Sequence, residues 1–163
     1  MPFFFTALVS YTPGKERERW TAFALFLAAA LTDMLDGFLA RVTQSRTELG
    51  RFLDPLADKL LLLSGFIGLL VVPGLPYRPP LWITVTVVFR DLMIVAGLVI
   101  IFLIRGTFPI QPNFWGKATT AFQMATLLAI LLGWPLSLPL CYMTAALTIV
   151  SFGVYTVREL NKL

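Results

Sequence analysis

The sequence predicts an all-α, polytopic membrane helix bundle with five full transmembrane helices preceded by a short apolar N-terminal segment. Three observations carry this expectation. Of the 163 residues, 58% are hydrophobic and 13% charged, about half the ~25% charged share of a soluble domain. The mean hydropathy is +0.81. The apolar residues also fall into stretches of about 20, the length a helix needs to cross the hydrocarbon of a bilayer. No segment reads as a soluble domain, so residues 1–163 read as a single membrane domain.

Taken in order, Phe3 to Tyr11 is strongly apolar, but at ~1.5 Å per residue it covers only about half of the hydrocarbon. It lacks the basic flank of a signal peptide. It reads as the tail of a first span whose beginning is missing from this chain, or as a short membrane-dipping helix. The full spans are expected at Thr21 to Ala40, Phe52 to Val72, Leu81 to Ile104, Ala118 to Trp134 and Leu138 to Val157. Between them stand Pro73-Gly74-Leu75-Pro76, Pro79-Pro80, Pro109 to Pro112, Pro135 and Pro139. Such residues end helices where water can satisfy the freed backbone groups.

Basic residues fix the expected orientation. With the link after the first full span placed in the cytoplasm, that side holds Arg41, Arg46, Arg51, Lys59, Arg105, Lys117, Arg158 and Lys162, and the other holds Lys15, Arg17, Arg19 and Arg78. Eight against four favours the cytoplasm for the 41–59 segment, since Lys and Arg collect on that side of a membrane. The net charge of +4 is thereby explained by the membrane rather than by nucleic acid.

Histidine is absent and Cys141 is the single cysteine, which excludes zinc ribbons, haem ligation, internal disulfides and histidine-dependent triads. Chemistry must rest on carboxylates. Asp33, Asp36, Asp54, Asp58 and Asp91 all fall within or at the ends of apolar stretches. A mid-membrane carboxylate costs ~2.5–3.5 kcal/mol on insertion scales, so its default reading is functional. Asp33, Asp36, Gly37 and Ala40 share one face of a helix with Arg41 beside it, and Gly50, Asp54 and Asp58 share a face of the next. A short link makes these helices antiparallel neighbours, so two carboxylate pairs face each other near the cytoplasmic surface. Crowded carboxylates raise one another's pKa unless cations intervene. An all-oxygen donor set suits Mg²⁺ first, then Mn²⁺ or Ca²⁺, and a two-metal carboxylate site suits displacement at phosphorus. Gly37, Ala40 and Gly50 either leave room for a bulky ligand or simply let the helices pack closely.

The stretch Asp33-Met34-Leu35-Asp36-Gly37-Phe38-Leu39-Ala40-Arg41, followed after eight residues by Gly50-Arg51-Phe52-Leu53-Asp54-Pro55-Leu56-Ala57-Asp58, resembles the signature of the CDP-alcohol phosphatidyltransferases at every one of its eight fixed positions. The resemblance implies a membrane enzyme of phospholipid synthesis that displaces CMP from CDP-diacylglycerol by an alcohol. It implies two divalent metal ions, Mg²⁺ with Mn²⁺ able to substitute, on Asp33, Asp36, Asp54 and Asp58, with Asp58 also the general base. It implies a CDP-lipid site at Gly37, Ala40, Arg41 and Gly50, with Thr47 where some members use a hydroxyl residue. It further implies a six-helix family fold whose first helix is truncated here, a homodimer, and a site on the cytoplasmic side of the cell membrane.

For the acceptor, Phe89-Arg90-Asp91 resembles the Arg-acidic pair of phosphatidylglycerophosphate and cardiolipin synthases. Arg90 either binds an acceptor phosphate or makes a structural ion pair. Gly116-Lys117-Ala118-Thr119-Thr120-Ala121-Phe122-Gln123 resembles the G-K-x-K-T-x2-Q of phosphatidylglycerophosphate synthases, with Thr119 where a second lysine is usual. Lys117 is an acceptor ligand or a cytoplasmic anchor. Glycerol 3-phosphate is thus the expected acceptor and phosphatidylglycerol the alternative. A carrier is the competing class, but it explains neither the small residues in register with the aspartates nor the lack of an inverted repeat.

Overall fold

The computed structural model describes residues 2–11, 16–42, 48–105 and 114–160. Among them the chain is all-helical, with α1 Pro2–Val9, α2 Glu16–Val42, α3 Glu48–Val71, α4 Leu81–Arg105, α5 Phe114–Leu132 and α6 Ser137–Leu160. Two compact units result, Met1–Pro76 and Tyr77–Leu163. Among the described residues, Ser137–Val157 is the one helix long and apolar enough to cross a membrane by length and composition, with mean hydropathy 1.6.

The predicted elements are found with shifted ends. α2 begins at Glu16 rather than Thr21, because a charged turn joins the apolar stretch. Glu16 and Glu18 occupy its first turn, where the helix dipole favours anions, and Arg19 Nη2 pairs with Glu16 Oε2 at 2.6 Å. α5 begins at Phe114 rather than Ala118 and ends at Leu132 rather than Trp134. Gly133 follows with φ 69°. Its N–H donates to Ile130 O and that of Trp134 to Ala129 O, both at 2.9 Å. This is a Schellman stop, whose left-handed residue glycine adopts without a Cβ clash. At the start of α4 the carbonyl of Pro80 accepts from Ile83 N and Thr84 N.

The apolar N-terminal segment forms a helix of eight residues that packs on both α2 and α3. Phe4 and Phe26 bring their ring centroids to 5.2 Å. Leu8, Leu61, Leu62, Phe66 and Leu69 of the same unit are fully buried. Gly68 sets the approach of α1 to α3, since a Cβ there would lie 2.6 Å from Leu8 Cδ2. Tyr11 Oη donates at 3.5 Å to Gly74 O in the turn after α3. The segment that reads as a span tail or a membrane-dipping helix packs within the first unit.

The second unit buries Ile83, Leu127, Ile130 and Leu131 and, beside them, a row of small and hydroxylated residues. On α6, Ser137, Cys141, Thr144, Thr148 and Ser151 are buried at alternating four- and three-residue steps, which is one helical face. Leu138, Tyr142, Met143, Ile149 and Val154 are exposed. Thr126 and Thr144 share a hydrogen bond of 2.8 Å between α5 and α6. Thr119 Oγ1 donates both to Trp115 O at 2.8 Å and across to Leu147 O at 3.2 Å. Small and hydroxylated residues inside with large apolar ones outside is the pattern of helices packing in lipid.

Candidate active site

The carboxylate motif falls on two helices of one unit. Asp33, Asp36, Gly37, Ala40 and Arg41 lie in the C-terminal part of α2, and Gly50, Asp54 and Asp58 in the N-terminal half of α3. The two helices touch, and residues 43–47 link them. Asp58 is half-buried. The side chains of Asp33, Asp36, Gly37, Ala40, Arg41, Gly50 and Asp54, and the whole of Thr47, lie outside the described residues. Among the described residues no three His, Cys, Asp or Glu side chains gather as a metal site. The donor set of the motif, four carboxylates without nitrogen or sulfur, has the chemistry a hard divalent cation takes.

A second polar cluster lies inside the second unit. Arg90 on α4 is 3% exposed and Asp91 beside it 0%. Arg90 Nη1 donates to Asp91 Oδ1 at 2.7 Å, and Arg90 Nη2 donates to Ser151 Oγ of α6 at 2.6 Å. Gln123 of α5 completes the group, its Nε2 donating to Asp91 Oδ2 at 3.3 Å. Three helices thus meet on one buried ion pair, which inside apolar surroundings is tolerable only with such additional hydrogen bonds. Arg90 also lines a cavity of about 240 Å³ between α4 and α6, with Val85, Thr86, Phe89, Thr148, Ile149 and Phe152.

Of the two sequence readings of Arg90, the ion pair with Asp91 is present. Lys117 is exposed in the first turn of α5, a position open both to an anchor and to an acceptor ligand. Thr119, which replaces the usual lysine, is buried with its hydroxyl turned to α6. Ser151 and Gln123 were not among the candidate site residues. Gln123 was signalled only as the last position of a motif. Ser151 belongs to the small-residue stripe of α6, and nothing local in the sequence ties it to Arg90, 61 residues away.

A family model for CDP-alcohol phosphatidyltransferase matches residues 1–154. The chain is 34% identical over 168 residues to the probable phosphatidylglycerophosphate synthase of Mycobacterium tuberculosis, covering 99% of this chain and 76% of that protein. It is 38% identical over 131 residues to the cardiolipin synthase (CMP-forming) of Streptomyces coelicolor, covering 77% and 57%. To the CDP-diacylglycerol–glycerol-3-phosphate 3-phosphatidyltransferase of Aquifex aeolicus it is 33% identical over 115 residues, covering 71% and 62%.

Proposed function

The chain belongs to the CDP-alcohol phosphatidyltransferase family, and from that premise we propose that it transfers the phosphatidyl group of CDP-diacylglycerol to glycerol 3-phosphate, giving phosphatidylglycerophosphate and CMP. The observation that carries this reading is the register of the motif. All eight fixed residues occupy α2 and α3 of one unit.

In the proposed reaction the acceptor hydroxyl oxygen bonds to the phosphorus that bears diacylglycerol. Asp58 takes the hydroxyl proton. The bond from that phosphorus to the bridging pyrophosphate oxygen breaks, and CMP leaves with the electron pair. Asp33, Asp36, Asp54 and Asp58 would hold two Mg²⁺ ions, with Mn²⁺ able to substitute, which supply charge neutralisation at the pyrophosphate. Gly37, Ala40, Gly50 and Thr47 border the CDP-lipid, with Arg41 on a phosphate. Arg90 and Lys117 bind the acceptor phosphate.

Residues 1–163 serve as one membrane domain in this reading, with α2 to α6 crossing the cell membrane, the reaction at its cytoplasmic face and the enzyme a homodimer. The hydroxyl-lined seam between α5 and α6 and the large apolar side chains exposed on both units support a lipid solvent. So do the exposed hydroxyls of Thr21, Thr32 and Thr156, which donate to the carbonyls of Arg17, Ala28 and Phe152 within their own helices. Where water is absent, a helix is the surest source of such partners.

The burial of Thr119 where a lysine is usual favours one second reading, phosphatidylglycerol as acceptor and cardiolipin as product. The test supplies purified protein with CDP-diacylglycerol, Mg²⁺ and labelled glycerol 3-phosphate, phosphatidylglycerol, inositol phosphate or serine in separate reactions. Product from glycerol 3-phosphate is expected. Product from phosphatidylglycerol alone would establish the second reading, and product from serine alone would remove the acceptor-phosphate role of Arg90.

A further inference from the structure

Exposed rings mark both ends of the second unit. Near the starts of α4 and α6, Trp82 and Tyr142 bring their ring centroids to 6.1 Å, and further on Arg90 meets Ser151, so these two helices run the same way. The partners of α5 run backwards along α6, Thr126 at Thr144 and Thr119 at Leu147. The stop after α5, which holds Trp134, therefore lies at the end where α6 begins. At the other end Phe114 and Trp115 open α5 with their centroids 6.1 Å apart. All five rings are between 40% and 77% exposed. Exposed Trp and Tyr side chains settle where hydrocarbon meets water.

The spacing and the surface between these ends fit one partner. At ~1.5 Å per residue, α5 runs about 26 Å from Trp115 to Leu132, close to the ~30 Å hydrocarbon of a bilayer. Among the side chains described on α4, α5 and α6, the exposed ones are apolar except Lys117, just inside Trp115, and Thr156. The Thr156 hydroxyl donates to Phe152 O within its own helix. Arg78 is exposed just ahead of α4, beyond the ring of Trp82.

The buried charges sit midway. Arg90 follows Trp82 by eight residues on α4, about 12 Å along the axis. Gln123, whose amide donates to Asp91 Oδ2, follows Trp115 by eight residues on α5, again about 12 Å. Two helices of opposite direction thus give the same depth from opposite ends.

We propose that the second unit is seated in a lipid bilayer in one register: the hydrocarbon is bounded at Trp82, Trp134 and Tyr142 on one side and at Phe114 and Trp115 on the other, and the Arg90–Asp91 pair lies at the bilayer midplane. This register rests on the reading that α4, α5 and α6 cross the membrane, and it makes no use of an acceptor role for Arg90. At the midplane an unpaired ionised side chain is most costly, which accounts for the enclosure of both charges among three helices.

The test reconstitutes the full chain in phosphatidylcholine vesicles and reads depth by tryptophan quenching from lipids brominated near the headgroup or near the chain end. One variant keeps Trp115 and another Trp134, with the remaining tryptophans changed to Phe. A third changes all four native tryptophans to Phe and carries Phe89→Trp, beside Arg90. Trp115 and Trp134 are expected to be quenched most by the shallow bromines, and the Phe89→Trp probe most by the deep ones. Deep quenching at Trp115 or Trp134, or shallow quenching of the Phe89→Trp probe, overturns the register. The unaltered chain supplies a reading that survives any failure of the variants to fold. Its thermal midpoint in vesicles of graded acyl length is expected to peak where the hydrocarbon is about 26–30 Å thick and to fall on either side, and a midpoint that climbs steadily through the series overturns the register as well. Flotation in alkaline carbonate separates the register from its premise. A chain that leaves the vesicles removes the membrane reading and the register with it, whereas a chain that stays but shows the wrong depths removes the register alone.

Discussion

In Met1–Pro76 the buried side chains described are apolar, from Phe4 and Leu8 on α1 to Phe26 on α2 and Leu61, Phe66 and Leu69 on α3. In Tyr77–Leu163 the interior also holds Thr84, Arg90, Asp91, Thr119, Gln123, Thr126, Thr144, Thr148 and Ser151, while Trp82, Phe89, Tyr142 and Ile149 are exposed. The first unit coheres by shape, a short helix wedged where Gly68 admits it. The second adds polar groups that find one another to a core that also buries Ile83, Leu127, Ile130 and Leu131. The carboxylates proposed to react belong to helices of the apolar-cored unit, and the polar interior of the other unit joins three helices through one ion pair.

If that division is right, the largest effect belongs to the residue proposed as the base. Asp58→Asn should lower kcat by about 10²–10⁴-fold, the range for loss of a positioned base, while membrane insertion and the thermal midpoint stay near wild type. EDTA should stop the reaction and Mg²⁺ or Mn²⁺ restore it, with Zn²⁺ serving poorly. Near-normal turnover by the variant would remove Asp58 as base and blur the contrast between the units.

Within the polar interior, Asp91→Leu should destabilise the chain by about 3–5 kcal/mol, because it leaves the Arg90 cation buried without its counter-charge. Arg90→Leu/Asp91→Leu should recover much of that loss, since a buried pair replaced whole by apolar side chains is often near neutral. Reversible unfolding in mixed micelles reads both. A double variant no more stable than the single would show that Ser151 and Gln123, rather than charge balance, hold the three helices.

How far these features were legible in the sequence follows the same division. The helices and the motif stand out, because runs of apolar residues and fixed intervals of aspartate and glycine are local signals. The ends of α2 and α5 were misplaced, because apolar length marks a hydrocarbon stretch while a helix continues through polar turns such as Glu16 to Trp20. The packing role of α1 depends on the meeting of Leu8 and Gly68 across 60 positions. Arg90 and Asp91 were visible as costly residues in an apolar run. Their partners on α5 and α6 were not, since serine and glutamine give no signal of what they will face.

The apolar unit can be probed through its closest approach. Leu8→Ala removes a fully buried side chain and should cost about 2–5 kcal/mol. Gly68→Ala presses a methyl group against Leu8 Cδ2 and should cost about 1–3 kcal/mol by overpacking. Together they should cost less than the sum, because the smaller residue 8 makes room for the new Cβ. Strict additivity by thermal or denaturant unfolding would mean that α1 is not seated against Gly68.

The smallest effect tests whether the hydroxyl stripe coheres as a membrane interface or as an ordinary polar contact. Thr126 and Thr144 are both fully buried, with their hydroxyl oxygens 2.8 Å apart between α5 and α6. Valine replaces threonine with nearly the same volume and no hydroxyl, so packing changes little. Thr126→Val or Thr144→Val alone strands one hydroxyl of the pair, whereas the double variant strands neither. Interhelical hydrogen bonds measured by such cycles in lipid average about 0.6 kcal/mol, so each single change should cost about 0.5–1 kcal/mol, and the double should restore part of it. The Thr148 hydroxyl, which donates to Thr144 O at 2.6 Å within α6, supplies the internal control. Thr148→Val should show no coupling to Thr126, and coupling as large as that of the direct pair would mean that the stripe acts through the shape of α6 rather than through its cross-helix bond.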